Sequence, residues 1–105
     1  MNTRTGSVVV INVFTPKTGA VEDFLVAQIA ALPVLRAGAT GSRGSRLFRA
    51  EDGSKVVMLS VFDTPENFKR FNDSEEFAAH RTKILPYLER AEPGRYELVY
   101  QAGEV

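Results

Sequence analysis

Residues 8–14 read Val-Val-Val-Ile-Asn-Val-Phe, a run that is apolar on both faces of an extended chain except at Asn12. Its β-branched side chains fit a pleated strand better than a helix. A strand apolar on both faces needs cover on both, which predicts the centre of a sheet. Successive side chains of a strand alternate in direction. Val9, Ile11 and Val13 therefore point one way, and Asn12 and Phe14 the other. The rest of the chain has to supply two covers for this one strand.

The first cover is legible downstream. After a turn at residues 15–19, Val21, Phe24, Leu25, Gln28, Ile29 and Leu32 recur at helical spacing. Pro33 ends or kinks that helix and Gly38 closes the segment. Residues 40–51 read as a strand, with Gly41 and Gly44 marking a bulge. Asp52-Gly53 is a hairpin turn signal, and residues 55–62 form the returning strand. Thr64-Pro65-Glu66 and Ser74-Glu75-Glu76 both carry helix-start chemistry: a capping hydroxyl, then acids at the positive end of the dipole. The prediction is a short helix, a break near Asn72-Asp73, and a longer helix to about Ala91 with Pro86 as a kink point. Glu92-Pro93-Gly94 then reads as a turn and Tyr96 to Gln101 as the last strand. Residues 1–6 are polar and read as frayed.

The order βαββαβ predicts an α+β, ferredoxin-like sandwich with an antiparallel sheet. Right-handed crossovers put both helices on one face. At 105 residues the whole chain, 1–105, is expected to be one domain. The face carrying Val9, Ile11 and Val13 stays uncovered. Monomers rarely expose contiguous apolar patches beyond a few hundred Å², so the second cover is expected to be another copy, in a twofold homodimer.

Composition removes several functions. Without cysteine there is no disulfide, thiolate zinc site or cysteine nucleophile, and a single histidine, His80, makes no histidine metal cluster. Thirteen basic and thirteen acidic residues cancel, against the basic excess usual for nucleic-acid binding. Gly41-Ser42-Arg43-Gly44 matches the G-x-x-G loop of some RNA modules, but a strand follows it where a helix is required. The run at 8–13 is too short to span a membrane, and no small-residue cleavage site follows it. A cytoplasmic setting fits. No P-loop, G-x-G-x-x-G or G-x-S-x-G motif occurs.

Four features remain as candidate site residues. Asn12 places an amide in an apolar strand, where it either bonds a neighbouring loop or donates to a ligand oxygen. His80 lies three residues after Phe77 and four before Ile84, on or beside the apolar face of its helix. It is either a partnered boundary histidine or a general base. Phe68, Phe71 and Phe77, with Phe14 from the first strand, are either core or the wall of a pocket for a flat ligand. Arg43, Arg46 and Arg49 are either solvated or a site for an anionic group.

The segment from Val61 through Phe-Asp-Thr-Pro-Glu-Asn-Phe-Lys-Arg-Phe-Asn-Asp-Ser-Glu-Glu-Phe-Ala-Ala to His80 resembles the antibiotic biosynthesis monooxygenase superfamily. The likeness extends over about residues 8–100. It implies a dimeric α+β barrel and a monooxygenase that oxidises a small aromatic, phenolic substrate with dioxygen and no cofactor. In that reading His80 is the base, Asn12 stabilises an oxyanion, and Phe14, Phe68, Phe71 and Phe77 hold the ring. The superfamily also has a branch that binds and degrades heme, using an Asn on the first strand, a Trp on the short helix and a His on the next. Asn12 and His80 match the first and third, whereas Phe71 stands in the Trp position. A non-catalytic dimer that binds a small ligand is the further alternative.

Overall fold

The computed structural model describes residues 7–104, so the expectation for residues 1–6 falls outside it. The elements are β1 (Val8–Pro16), α1 (Val21–Ala37), β2 (Ser42–Arg49), β3 (Val56–Phe62), α2 (Pro65–Asn72), α3 (Glu75–Ile84), a 3-10 turn at Leu85–Tyr87 and β4 (Leu88–Tyr96). The four strands form one antiparallel sheet in the order β2-β3-β1-β4. The α+β, ferredoxin-like fold read from the sequence is therefore the fold observed, with β1 central and between β3 and β4. No helix among the described residues is long and apolar enough to cross a membrane.

The helix-facing side of the sheet holds the core. Phe14, Phe24, Val56, Ile84 and Leu88 pack together, with Phe24 and Val56 fully enclosed. The Phe14 and Phe24 rings lie 4.9 Å apart and tilted. Each such side chain contributes about 1.5–3 kcal/mol through burial. The two helix starts form as their sequences dictate: Thr64 accepts from the Asn67 amide and Ser74 from the Phe77 amide.

Gly41 shows why the entry to β2 must be glycine. Its φ is +79°, and an added Cβ would collide with Asp63 Oδ1 and the Asn67 side chain. The register slips between Ser42 and Gly44, the bulge that the glycines predicted.

Four boundary readings change: the possible end of the first helix at Pro33, the end of the third helix, the turn at residues 92–94 and the span of the last strand. Helix α1 runs through Pro33 to Ala37. A proline removes one intrahelical bond, and the remaining bonds of the last turn carry the helix past it. At the other end, α3 stops at Ile84 rather than near Ala91, because Pro86 has no N–H to continue the ladder. The last strand consequently begins at Leu88. Glu92, Pro93 and Gly94 are not a turn but strand residues facing Val13, Asn12 and Ile11. Proline is tolerated there because β4 is an edge strand. The predicted strand at Tyr96–Gln101 is overturned beyond Tyr96: residues 97–104 carry no regular structure, and Leu98, Val99 and Tyr100 are exposed.

Candidate active site

Asn12 sits in the middle of β1, directly opposite Met58 on β3 and Pro93 on β4. Directly opposed residues of antiparallel strands share a face and lie roughly 5 Å apart at Cβ. Asn12 and Met58 therefore share the helix-facing side with Phe14, two residues on. From α1, Gln28 donates its side-chain N–H to Met58 Sδ at 3.3 Å. From α3, His80 Nε2 meets Gln28 Oε1 at 2.7 Å. Gln28 and His80 are 3% and 6% exposed, the two buried polar side chains among the described residues. Each of four elements thus adds one polar or polarisable group to a single layer inside the helix–sheet interface.

The hydrogen bonds fix the protonation of the ring. A carbonyl oxygen only accepts, so His80 Nε2 must carry the hydrogen that it donates to Gln28. In the neutral ring that leaves Nδ1 with a free lone pair. Burial, and secondarily the Lys83 charge, push the His80 pKa below its ordinary value of 6.5, which keeps the ring neutral at pH 7. Nδ1 is buried and has no hydrogen-bond partner, and the same is true of Asn12 Oδ1. Buried polar atoms are nearly always paired, and each unpaired one costs about 1–3 kcal/mol. One interface therefore holds two acceptors without donors.

The layer lies between two aromatic groups. On one side Ile84, one turn beyond His80, joins Phe14 and Phe24 in the core. On the other, Phe62 at the end of β3 stacks with Phe68 at 5.6 Å and Phe71 at 5.3 Å, and Phe71 with Phe77 at 4.8 Å. Arg95 and Arg81 cap Phe68 and Phe77 with their guanidinium groups at 5.7 and 4.8 Å. The four phenylalanines expected to form one wall are divided. Phe68, Phe71 and Phe77 are brought together around Phe62, while Phe14 belongs to the core at the opposite side of the polar layer.

The three arginines of β2 do not converge either. Arg49 pairs with Glu22 of α1 at 2.5 Å. Arg46 lies opposite Leu59 on the other face of the sheet, and Arg43 sits in the bulge. Sequence reasoning placed Gln28 on the apolar face of the first helix without assigning it a role. Its signal was that of Asn12, one amide inside an apolar stripe.

The family model described as antibiotic biosynthesis monooxygenase matches residues 7–83. No curated protein matches the chain. Among solved structures, SnoaB of Streptomyces nogalater, described as a cofactor-independent oxygenase, is 22% identical with a TM-score of 0.83, covering 94% of this chain and 99% of its own. Rv0793 of Mycobacterium tuberculosis is 19% identical with a TM-score of 0.78, covering 92% and 99%. A conserved protein of Methanosarcina mazei is 13% identical with a TM-score of 0.76, covering 86% and 90%. At these identities the likeness is one of fold.

Proposed function

The chain belongs to the antibiotic biosynthesis monooxygenase family, and from that premise we propose that it is a cofactor-independent monooxygenase acting on a small phenolic aromatic. The observation that carries the proposal is the neutral, buried His80 whose Nδ1 lone pair has no partner. In this mechanism the substrate hydroxyl gives its proton to Nδ1, as to a general base. The electron-rich phenolate passes an electron to dioxygen, the radical pair joins at a ring carbon, and loss of water leaves a quinone. Phenol plus dioxygen gives quinone plus water, so atoms and electrons balance without a further reductant. Asn12 adds its amide, whose buried Oδ1 is free to accept from a substrate hydroxyl, beside the oxyanion-stabilising role expected of it. Phe68, Phe71 and Phe77 offer aromatic surface to the ring, and Phe14 supports the layer from beneath.

The likeness to SnoaB favours the cofactor-free branch. The heme branch fits these residues poorly. His80 Nε2 is engaged by Gln28, and Phe71, in the tryptophan position, is packed between Phe62 and Phe77.

A homodimer completes the proposal. The sheet face opposite the helices carries Val9, Ile11, Val13, Val57, Leu59 and Val61 by register; Val9 and Val61 are buried within the chain, the other four are half-buried, and Phe48 and Tyr96 at its margins are about half exposed. A second copy is the cover that such a face calls for.

The test is oxygen uptake by purified protein given a hydroxylated polycyclic aromatic, without metal or flavin. Uptake is expected, and His80→Ala should slow it by about 10²–10⁴-fold. Equal uptake by the folded variant would remove His80 from the mechanism. No uptake by the wild type across a broad panel would favour the ligand-binding dimer.

A further inference from the structure

Gln28 is the most deeply buried polar side chain among the described residues, and it touches both His80 and Met58. Its amide could face His80 in either of two ways. Met58 decides between them. A thioether sulfur accepts hydrogen bonds and donates none, so only the amide N–H₂ can face it productively. That turns the amide oxygen toward His80, and the oxygen in turn requires a hydrogen on Nε2. The reverse orientation would set oxygen against sulfur. It would also move the imidazole hydrogen to Nδ1, where no acceptor waits.

We propose that Gln28 is a positioning residue, oriented by Met58, that holds His80 as the Nε2–H tautomer so that Nδ1 is the nitrogen that receives the substrate proton. The inference rests on the reading of His80 as the base. It also explains why the partner is an amide. A carboxylate in that place would orient the ring equally well, but its charge would favour imidazolium and occupy the Nδ1 lone pair with a proton. A neutral amide orients without protonating. The groups facing the ring agree with this. Gln28 on α1 and Asn12 and Met58 on the sheet are neutral, Tyr87 of the 3-10 turn packs against the adjoining core, and Lys83 on the same helix is the charge that acts on the ring.

The chain has one histidine, so ¹⁵N spectra of the imidazole report on His80 without assignment. The wild type at pH 8 should show a protonated Nε2 and a bare Nδ1. Gln28→Leu should abolish the single tautomer and lower kcat by about 10–100-fold, as lost outer-shell support does elsewhere, with little change in KM. Gln28→Glu should keep the tautomer, raise the His80 pKa above the wild-type value, and move the acid limb of kcat/KM upward with it. A wild-type ring protonated at Nδ1 overturns the proposal. So does a folded Gln28→Leu protein with unchanged tautomer and kcat. If the wild type shows the expected tautomer but no turnover, the tautomer lock stands and the base role fails, which separates the two claims.

Discussion

Replacing Asn12 with Leu puts the reading of the polar layer at risk in a single measurement. Leucine has nearly the shape of asparagine and removes the buried, unpartnered Oδ1. That acceptor costs the fold about 1–3 kcal/mol as it stands. Leucine keeps the branching of asparagine with two bulkier methyl groups, a near-isosteric change whose repacking usually costs below about 1.5 kcal/mol, and the new neighbours, Met58 and Pro93, are themselves apolar. The net expectation is a gain of roughly 1 kcal/mol in stability, together with loss of turnover. For a chain of this size one kcal/mol moves Tm by about 4–8 °C. Urea denaturation at fixed protein concentration reads the change as a shift in midpoint, and an unchanged slope shows that the same surface is exposed on unfolding. A gain of this kind is the mark of an amide kept for a ligand at the expense of the fold. A variant destabilised by more than about 1 kcal/mol would show instead that Asn12 is a satisfied structural amide, and its place in the site would fall.

Two more outcomes follow from the same geometry. His80 titrates below 6.5 in the folded chain, so between its folded pKa and 6.5 the unfolded state binds more protons; stability should be constant above about pH 7, fall as pH drops below 6.5, and level off below the folded pKa, a slope that His80→Leu should erase from pH-dependent denaturation curves. Ile11→Lys places a charge at the centre of the open sheet face and should convert a dimer into a monomer by light scattering at micromolar concentrations; a wild type that is monomeric throughout that range refutes the dimer outright.

The fold was legible because β1 and β3 are near-continuous apolar runs, because α1 sets Phe24 and Gln28 at helical spacing on its buried side, and because Thr64 and Ser74 cap their helices locally. The C-terminal third misled for a physical reason. Glu92-Pro93-Gly94 has turn chemistry, yet the residues sit in β4, where an unpartnered outer edge tolerates proline. Conversely, Tyr96 to Gln101 has strong strand propensity but finds no strand partner among the described residues past Tyr96. Propensity ranks what a segment prefers, and pairing decides what it gets.

The site was legible only as separate interruptions. Asn12 breaks an apolar strand, Gln28 an apolar helix stripe, and His80 an apolar helix face, and each alone reads as a tolerated exception. Their convergence depends on register, which a single sequence does not carry. Met58 shows this most clearly. As a residue type it announces core packing, and its role appears only because β3 pairs with β1 so that Met58 faces Asn12 while α1 lays Gln28 over its sulfur. A sulfur that cannot donate fixes an amide, the amide fixes a tautomer, and the tautomer decides which nitrogen has a lone pair to offer. Chemistry that a sequence shows as one histidine becomes, once the strands are paired, the directed basicity of a single atom.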